Sequence, residues 1–315
     1  MKKIITTAFI LSAAFSGFAQ GFYFRLGAGY AFPQAGQTMY DSPVPYNGFP
    51  IGYNGTRNNT TTTETYNIKG ASFSAGFQGS LGLGYMINNN VGIQLDGNIG
   101  LSAKKYTFND ENAIINYTTG PAASNISTIQ QAQTPLIMIP ALVLQSGGDK
   151  VNIYSRFGLA LPLSSKITQD QVITSGAGTS SLTVDDFTWS IKSSFSLGFS
   201  AAAGLKYNIS DKVSIWGEVS ILSMTLNTKE QDLNNWTENG QTVPLSNYNG
   251  AQQITFSKTA TFDSTYSHMP TYSQPFSNIG INVGVCFNLG NYSNSQGRRH
   301  NEDIDDTGTK PFRRR

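Results

Sequence analysis

From Ile279 to Leu289 the chain alternates strictly between apolar and polar residues. Ile279, Ile281, Val283, Val285, Phe287 and Leu289 fall on one side. Asn278, Gly280, Asn282, Gly284, Cys286 and Asn288 fall on the other. A period of two is the period of a β-strand, so one face meets an apolar phase and the other does not. The exterior of a soluble barrel or sandwich would carry charge. Here the second face is small and polar with no charged side chain, as a lumen would be. The apolar face is then left to look outward, at lipid.

The pattern recurs upstream. Phe22, Phe24, Leu26, Ala28 and Tyr30 oppose Tyr23, Arg25, Gly27 and Gly29. Further alternating spans cover 73–85, 91–102, 151–161, 195–208 and 213–221. The span 136–145 is apolar on both faces and contains Pro140, so its inner face is expected to pack against other side chains. Short turns at 88–90, 147–150 and 210–212 alternate with long polar segments at 35–70, 105–133, 165–187 and 227–276. Membrane barrels have short periplasmic turns and long extracellular loops. The expected fold is an all-β, transmembrane, antiparallel up-and-down barrel of about eight strands, with both termini periplasmic. Ile254-Thr255-Phe256-Ser257 could extend the last strand or add a hairpin, which leaves about ten strands as the alternative. A weak internal repeat aligns Tyr85-Met86-Ile87 and Val91-Gly92-Ile93 with Tyr207-Asn208-Ile209 and Val213-Ser214-Ile215. It sets Asp96 in register with Glu218.

Composition agrees. Charged residues are 13%, about half the share usual for a soluble domain. After the N-terminus no apolar run reaches the ~18 residues of a spanning helix. A net charge of +2 gives no argument for nucleic acid. Lys2 and Lys3, the apolar run from Ile4 to Phe15, and the small residues Gly17 and Ala19 read as a secretory signal over 1–19, cleaved between Ala19 and Gln20. The barrel is expected over 20–291. Residues 292–315 form a polar tail with Arg298-Arg299, an acidic patch at Glu302 to Asp306 and terminal arginines, expected to be disordered in the periplasm.

Asn282-x-Gly284-x-x-Phe287-x-Leu289 resembles the C-terminal signal read by the barrel-assembly machinery. With the leader and the Gly-rich alternating strands, it makes residues 21 to 290 resemble the small outer-membrane β-barrel family that includes the OmpA, OmpX and OmpW transmembrane domains. The departure is the tail that follows the signal. The resemblance implies a Gram-negative outer-membrane location, contact with outer-membrane lipid and lipopolysaccharide, and dependence on the assembly machinery. A monomer is expected. Function stays open, since one barrel fold serves many roles.

Arg25, Asp96, Arg156, Lys206 and Glu218 all fall on lumen faces. An eight-strand interior is only wide enough to be filled by side chains, and charges buried there must pair. Pairing across the turn at 210–212 sets Gly204 opposite Glu218 and leaves Lys206 a diagonal neighbour of Glu218, within its reach. The expected result is an ion-pair plug. The alternative is a gate in a narrow channel for small or apolar solutes.

A lipid A-modifying enzyme is a further class. The histidines are His268 and His300. Ser267 precedes His268, but neighbouring strand residues point oppositely, so no dyad is expected. No His/Cys metal spacing appears, and no cofactor, metal or catalysis is expected. Surface binding is the remaining class. The connections are rich in Asn, Thr, Ser and Tyr, as in Asn58-Asn59-Thr60-Thr61-Thr62-Thr63, and would offer themselves to a host or surface ligand. Lys104 and Lys105 could contact lipopolysaccharide phosphates, although an interfacial belt with Tyr106 and Phe108 explains the same pattern. Asp263-Ser264-Thr265 resembles an O-glycosylation site. Trp216 is read as filling space by the plug and Cys286 as packing. The expected role is structural or surface-binding.

Overall fold

The structure is a computed structural model and describes residues 21–34, 55–59, 64–68, 70–117, 120–176, 182–259 and 267–289. In chain order its strands are β1 (Phe22–Pro33), β2 (Gly55–Asn59), β3 (Glu64–Ile68), β4 (Gly76–Met86), β5 (Val91–Ala103), β6 (Tyr106–Tyr117), β7 (Gly120–Ala132), β8 (Leu136–Gln145), β9 (Val151–Ser164) and β10 (Ile167–Ser175). They continue as β11 (Thr183–Ser193), β12 (Gly198–Asn208), β13 (Val213–Ser223), β14 (Thr225–Glu238), β15 (Gln241–Thr242), β16 (Gln253–Ser257), β17 (His268–Pro270), β18 (Ser273–Pro275) and β19 (Asn278–Asn288).

Eight of them close an antiparallel barrel: β1, β4, β5, β8, β9, β12, β13 and β19. Each pairs with the next, and β19 seals against β1 from Tyr23↔Asn288 to Pro33↔Asn278. Each expected barrel span overlaps one of these strands, although 73–75 and 195–197 precede β4 and β12. The ten-strand alternative does not form: Ile254–Ser257 belongs to β16, which pairs with β14 and β17 outside the barrel. Outward-facing Leu26, Leu83, Ile93, Leu142, Ile153, Leu205, Ile215 and Val283 are exposed, one on each barrel strand. Soluble monomers rarely carry an apolar patch beyond a few hundred Å2. This belt encircles the molecule, and a closed barrel leaves no unpaired strand edge for lipid to meet.

The long connections differ from the expected loops. β5 continues past Lys104 and Lys105 into β6, β9 past residues 165–166 into β10, and β13 past Met224 into β14. β7 pairs with β10 just as β8 pairs with β9, and β11 pairs with β14 just as β12 pairs with β13. The barrel wall therefore continues beyond the lipid belt into an 11-stranded sheet, which includes β2–β3 beside β6 and β16–β17 beside β14. Its outward face is polar, with Asp170, Lys192, Asn227 and Lys229 exposed. Thr134, at φ 40°, and Pro135, which has no N–H, interrupt the wall between β7 and β8.

Phe73 corrects a second expectation. Alternation over 73–85 puts it on the same, lipid-facing side as Phe77, but β4 begins at Gly76. Gly76 has φ +126°, and a Cβ there would run into the Ser102 carbonyl. The chain turns at that point and Phe73 is buried. It meets Tyr106 edge-on at 5.7 Å between ring centres. Tyr106 donates to the Ser72 carbonyl at 2.7 Å and accepts from the Ser72 N–H at 3.0 Å. These rings join Ile137, Ile139, Leu222, Met224, Leu226 and Phe276 in one apolar cluster at the junction of barrel and extension. That accounts for β8, whose inner residues Ile137, Ile139, Ala141 and Val143 are all buried. The β8–β9 ladder skips Ile139 and Pro140, where proline has no N–H to donate.

Candidate functional site

The wall from β13 into β14 shows what fills the interior. Its inward side chains run Trp216, Glu218, Ser220, Leu222, Met224, Leu226, Thr228, Gln231 and Leu233. A charged layer thus gives way to an apolar one, then a polar one, then an aromatic cap.

Four of the five lumen charges come together in the first layer. Arg25 on β1 donates from Nη2 to Glu218 Oε2 at 3.0 Å. Arg156 on β9 spans two acids, donating to Asp96 on β5 and to Glu218 on β13. Tyr154 donates to Glu218 Oε2 at 2.7 Å and accepts from Arg25 at 3.1 Å. Gln94 donates to Asp96 Oδ1 at 2.5 Å, and Tyr23 donates to Gln94 at 2.7 Å. Two cations and two carboxylates balance, and Arg25, Asp96 and Glu218 are buried. A charge this deep is tolerable only with such partners. Arg156 joins the two acids that the internal repeat set in register.

Small residues make room for large ones, as in other narrow barrels. Gly27 pairs with Gly284 across the β1–β19 seam, and Trp216 lies opposite Gly284 on β13. A Cβ at Gly27 would lie 2.5 Å from Trp216 Cη2, and one at Gly284 2.6 Å from Cζ2. The two glycines are therefore the seat of the indole. The Arg25 guanidinium stacks 3.9 Å from the Trp216 ring centre, a cation–π contact.

Lys206 stands apart, against expectation. The β12–β13 register is as read, with Gly204 opposite Glu218 and Lys206 opposite Trp216. Both Glu218 oxygens are taken by the arginines, and Lys206 donates instead to Gln145 Oε1 at 3.1 Å. The pairing was decided by side chains crossing the lumen, which a hairpin register does not display.

The other candidates lie as follows. Asn282 is buried and donates to Ser220 at 2.9 Å, while Phe287 and Leu289 face outward. Lys104 and Lys105 are exposed where the wall leaves the lipid belt. Tyr106 and Phe108 are buried inside the wall and form no interfacial belt beside them. Ser267 Oγ and His268 Nδ1 are 2.8 Å apart. The alternation argument against their contact fails because Ser267 precedes β17, where strand geometry does not apply. Cys286 is buried in the lumen. Ala19, Gln20, residues 60–63 and 263–265, His300 and the tail lie outside the described residues. Among the described residues no group of three or more His, Cys, Asp or Glu could hold a metal ion.

Sequence reasoning missed the interior of the extension. Thr128, Gln130, Gln169, Gln171, Gln231 and Gln274 are buried there, and Gln130 donates to Gln169 at 2.6 Å. Beyond them Phe187 stacks on Trp236 at 5.9 Å, with Tyr248 edge-on to both rings. Trp236 donates to Asp185 at 3.0 Å. The alternation Phe187-x-Trp189-x-Ile191 was a signal for this face. On the outside, Lys192 bonds Asp232 at 2.7 Å, and Gln253 donates to the same carboxylate at 2.9 Å. Burial alone would push the Asp232 carboxyl up, but these donors outweigh it and hold the group below the usual carboxylate range.

No curated protein matches the chain. A crystal structure of a Pseudomonas aeruginosa FadL homologue aligns over 85% of this chain and 89% of its own, at 8% identity and a TM-score of 0.15. A likeness that slight carries no argument. A family profile described as outer membrane protein beta-barrel domain matches residues 5–243, most of the chain and seven of the eight strands that close the barrel. A belt fit for lipid, a closed wall and that match agree, and the chain belongs to the outer-membrane protein β-barrel domain family.

Proposed function

We propose that this outer-membrane barrel does not conduct, and that its role is structural or surface-binding, with the extension as the part that meets partners. The observation behind this is the filled interior along β13 and β14. An apolar layer between two polar ones offers an ion no continuous path, and eight strands leave little room around it. Short turns at one end and long connections at the other support a periplasmic position for both termini and an extracellular one for the extension. Exposed Lys104 and Lys105 then stand where lipopolysaccharide phosphates would reach them. β19, with Asn282, Gly284, Phe287 and Leu289, is the segment for the assembly machinery to engage.

Planar-bilayer recording of the purified chain tests the reading. No stepwise current is expected, from the intact chain or from one lacking the tail. Stable unitary steps that change when Lys206 and Glu218 are both neutralised would replace the plug with a gate. Protease added to whole cells should cut the extension, and full protection would contradict the topology.

A further inference from the structure

At the short-turn end the lumen opens into a pocket lined in part by Tyr23, Arg25, Gln145, Lys206, Trp216 and Cys286. Its polar groups are unevenly committed. Tyr23 donates to Gln94. Gln145 accepts from Lys206 and donates to the Asn89 carbonyl at 3.1 Å. Arg25 is paired with Glu218. Two strong donors remain. Lys206 carries three N–H bonds and gives one to Gln145. Trp216 is only 5% exposed, and its indole N–H has no acceptor among the described residues. Burial without a partner is unusual for such a group, because native structures satisfy nearly all of theirs.

Charge points the same way. Arg25 and Arg156 are balanced by Asp96 and Glu218, so the positive charge left over in this layer is that of Lys206. Spare donors and spare positive charge meet in one recess. We propose that it is a binding site for one small monovalent anion: a carboxylate group entering from the short-turn end, or chloride. Lys206 supplies the charge and one hydrogen bond, and Trp216 supplies a second. One surplus positive charge matches one negative charge, so a carboxylate or a halide is balanced here, whereas a dianion such as sulfate would leave a surplus negative charge in the lumen. The site stands whether or not the barrel conducts.

The test uses the full chain, 15N-labelled, in nanodiscs. Its three indole resonances are assigned by single Trp→Phe variants. Sodium acetate and sodium chloride are titrated at constant ionic strength, with sulfate as comparison. The Trp216 indole resonance should shift and saturate with acetate or chloride, while those of Trp189 and Trp236 stay in place. The tighter of the two anions identifies the natural source. Lys206→Met should weaken binding at least tenfold, and Lys206→Arg should restore most of it. A shift that never saturates, an equal response to sulfate, or an affinity unchanged in Lys206→Met would overturn the proposal. Should Lys206→Met fail to fold, the wild-type selectivity between acetate and sulfate decides alone.

Discussion

Replacing Glu218 with glutamine keeps the shape of the side chain and removes the charge that joins Arg25 to Arg156. In the folded barrel Glu218 accepts from both arginines and from Tyr154. Its side chain is 3% exposed, against 8% for Arg25 and 12% for Arg156, so water cannot take over as partner. Removing one member of a buried pair costs about 3–5 kcal/mol, because the other charge is left uncompensated. Glutamine keeps one acceptor oxygen, which places Glu218→Gln near the lower end, about 3 kcal/mol. Lys206→Met is the internal standard. It removes one hydrogen bond to a neutral amide and should cost about 1 kcal/mol. Reversible urea unfolding in lipid vesicles, followed by tryptophan fluorescence, measures both. Adding Arg25→Met to Glu218→Gln should recover part of the loss, since the stranded charge goes with it. The reasoning fails if Glu218→Gln costs no more than Lys206→Met, for then the arginines are hydrated and the layer is open.

Three further outcomes follow from the packing and the outer surface. Phe276 is fully buried in the junction cluster, so Phe276→Ala should cost about 3–5 kcal/mol in the same unfolding assay. It should not produce conductance, since the ion-pair layer stays intact beneath it. Gly284→Leu places a side chain against Trp216 and the Leu26 carbonyl. The variant should lose the compact, heat-modifiable band of a folded barrel in electrophoresis, and normal folding would show that the indole is not seated there. Asp232 has a depressed folded-state pKa. Its contribution is present above the unfolded value, about 3.9, and is lost as pH falls through the lower folded value. Protection of the β16 amides, relative to their intrinsic exchange rate at each pH, should therefore hold down to about pH 4 and fall below it. Lys192→Met should raise the Asp232 titration midpoint, and an unmoved midpoint would reject the assignment.

The barrel was legible because lipid and lumen impose opposite demands on neighbouring residues. Seven of the eight closing strands carry that contrast, β8 being apolar on both faces, and the turn at 210–212 was enough to set Gly204 against Glu218. Above the lipid belt the contrast disappears. Water lies outside, while Thr128, Gln130, Gln169 and Gln231 fill the inside, so polarity no longer alternates even though burial does. Those strands read as loops for that reason. Lys206 was misassigned for a different one: Arg156 reaches Glu218 across β12, a contact that adjacent-strand pairing does not contain. Ser267 shows the limit of a strand rule applied one residue outside a strand.

The seam between β1 and β19 joins nearly opposite ends of the described chain, Arg25 opposite Cys286. Every other pair of wall strands joins consecutive passes of the chain through the barrel and is local by comparison. Loop-closure entropy and contact order make such a junction the slowest to form. Until it forms, the β1 and β19 edges each hold a ladder of unsatisfied backbone groups that hydrocarbon cannot solvate. Folding of this molecule thus has a vulnerable interval whose length is set by one pairing event. A factor that shelters the free edge of β19 during that interval would govern yield without adding anything to the stability of the finished barrel.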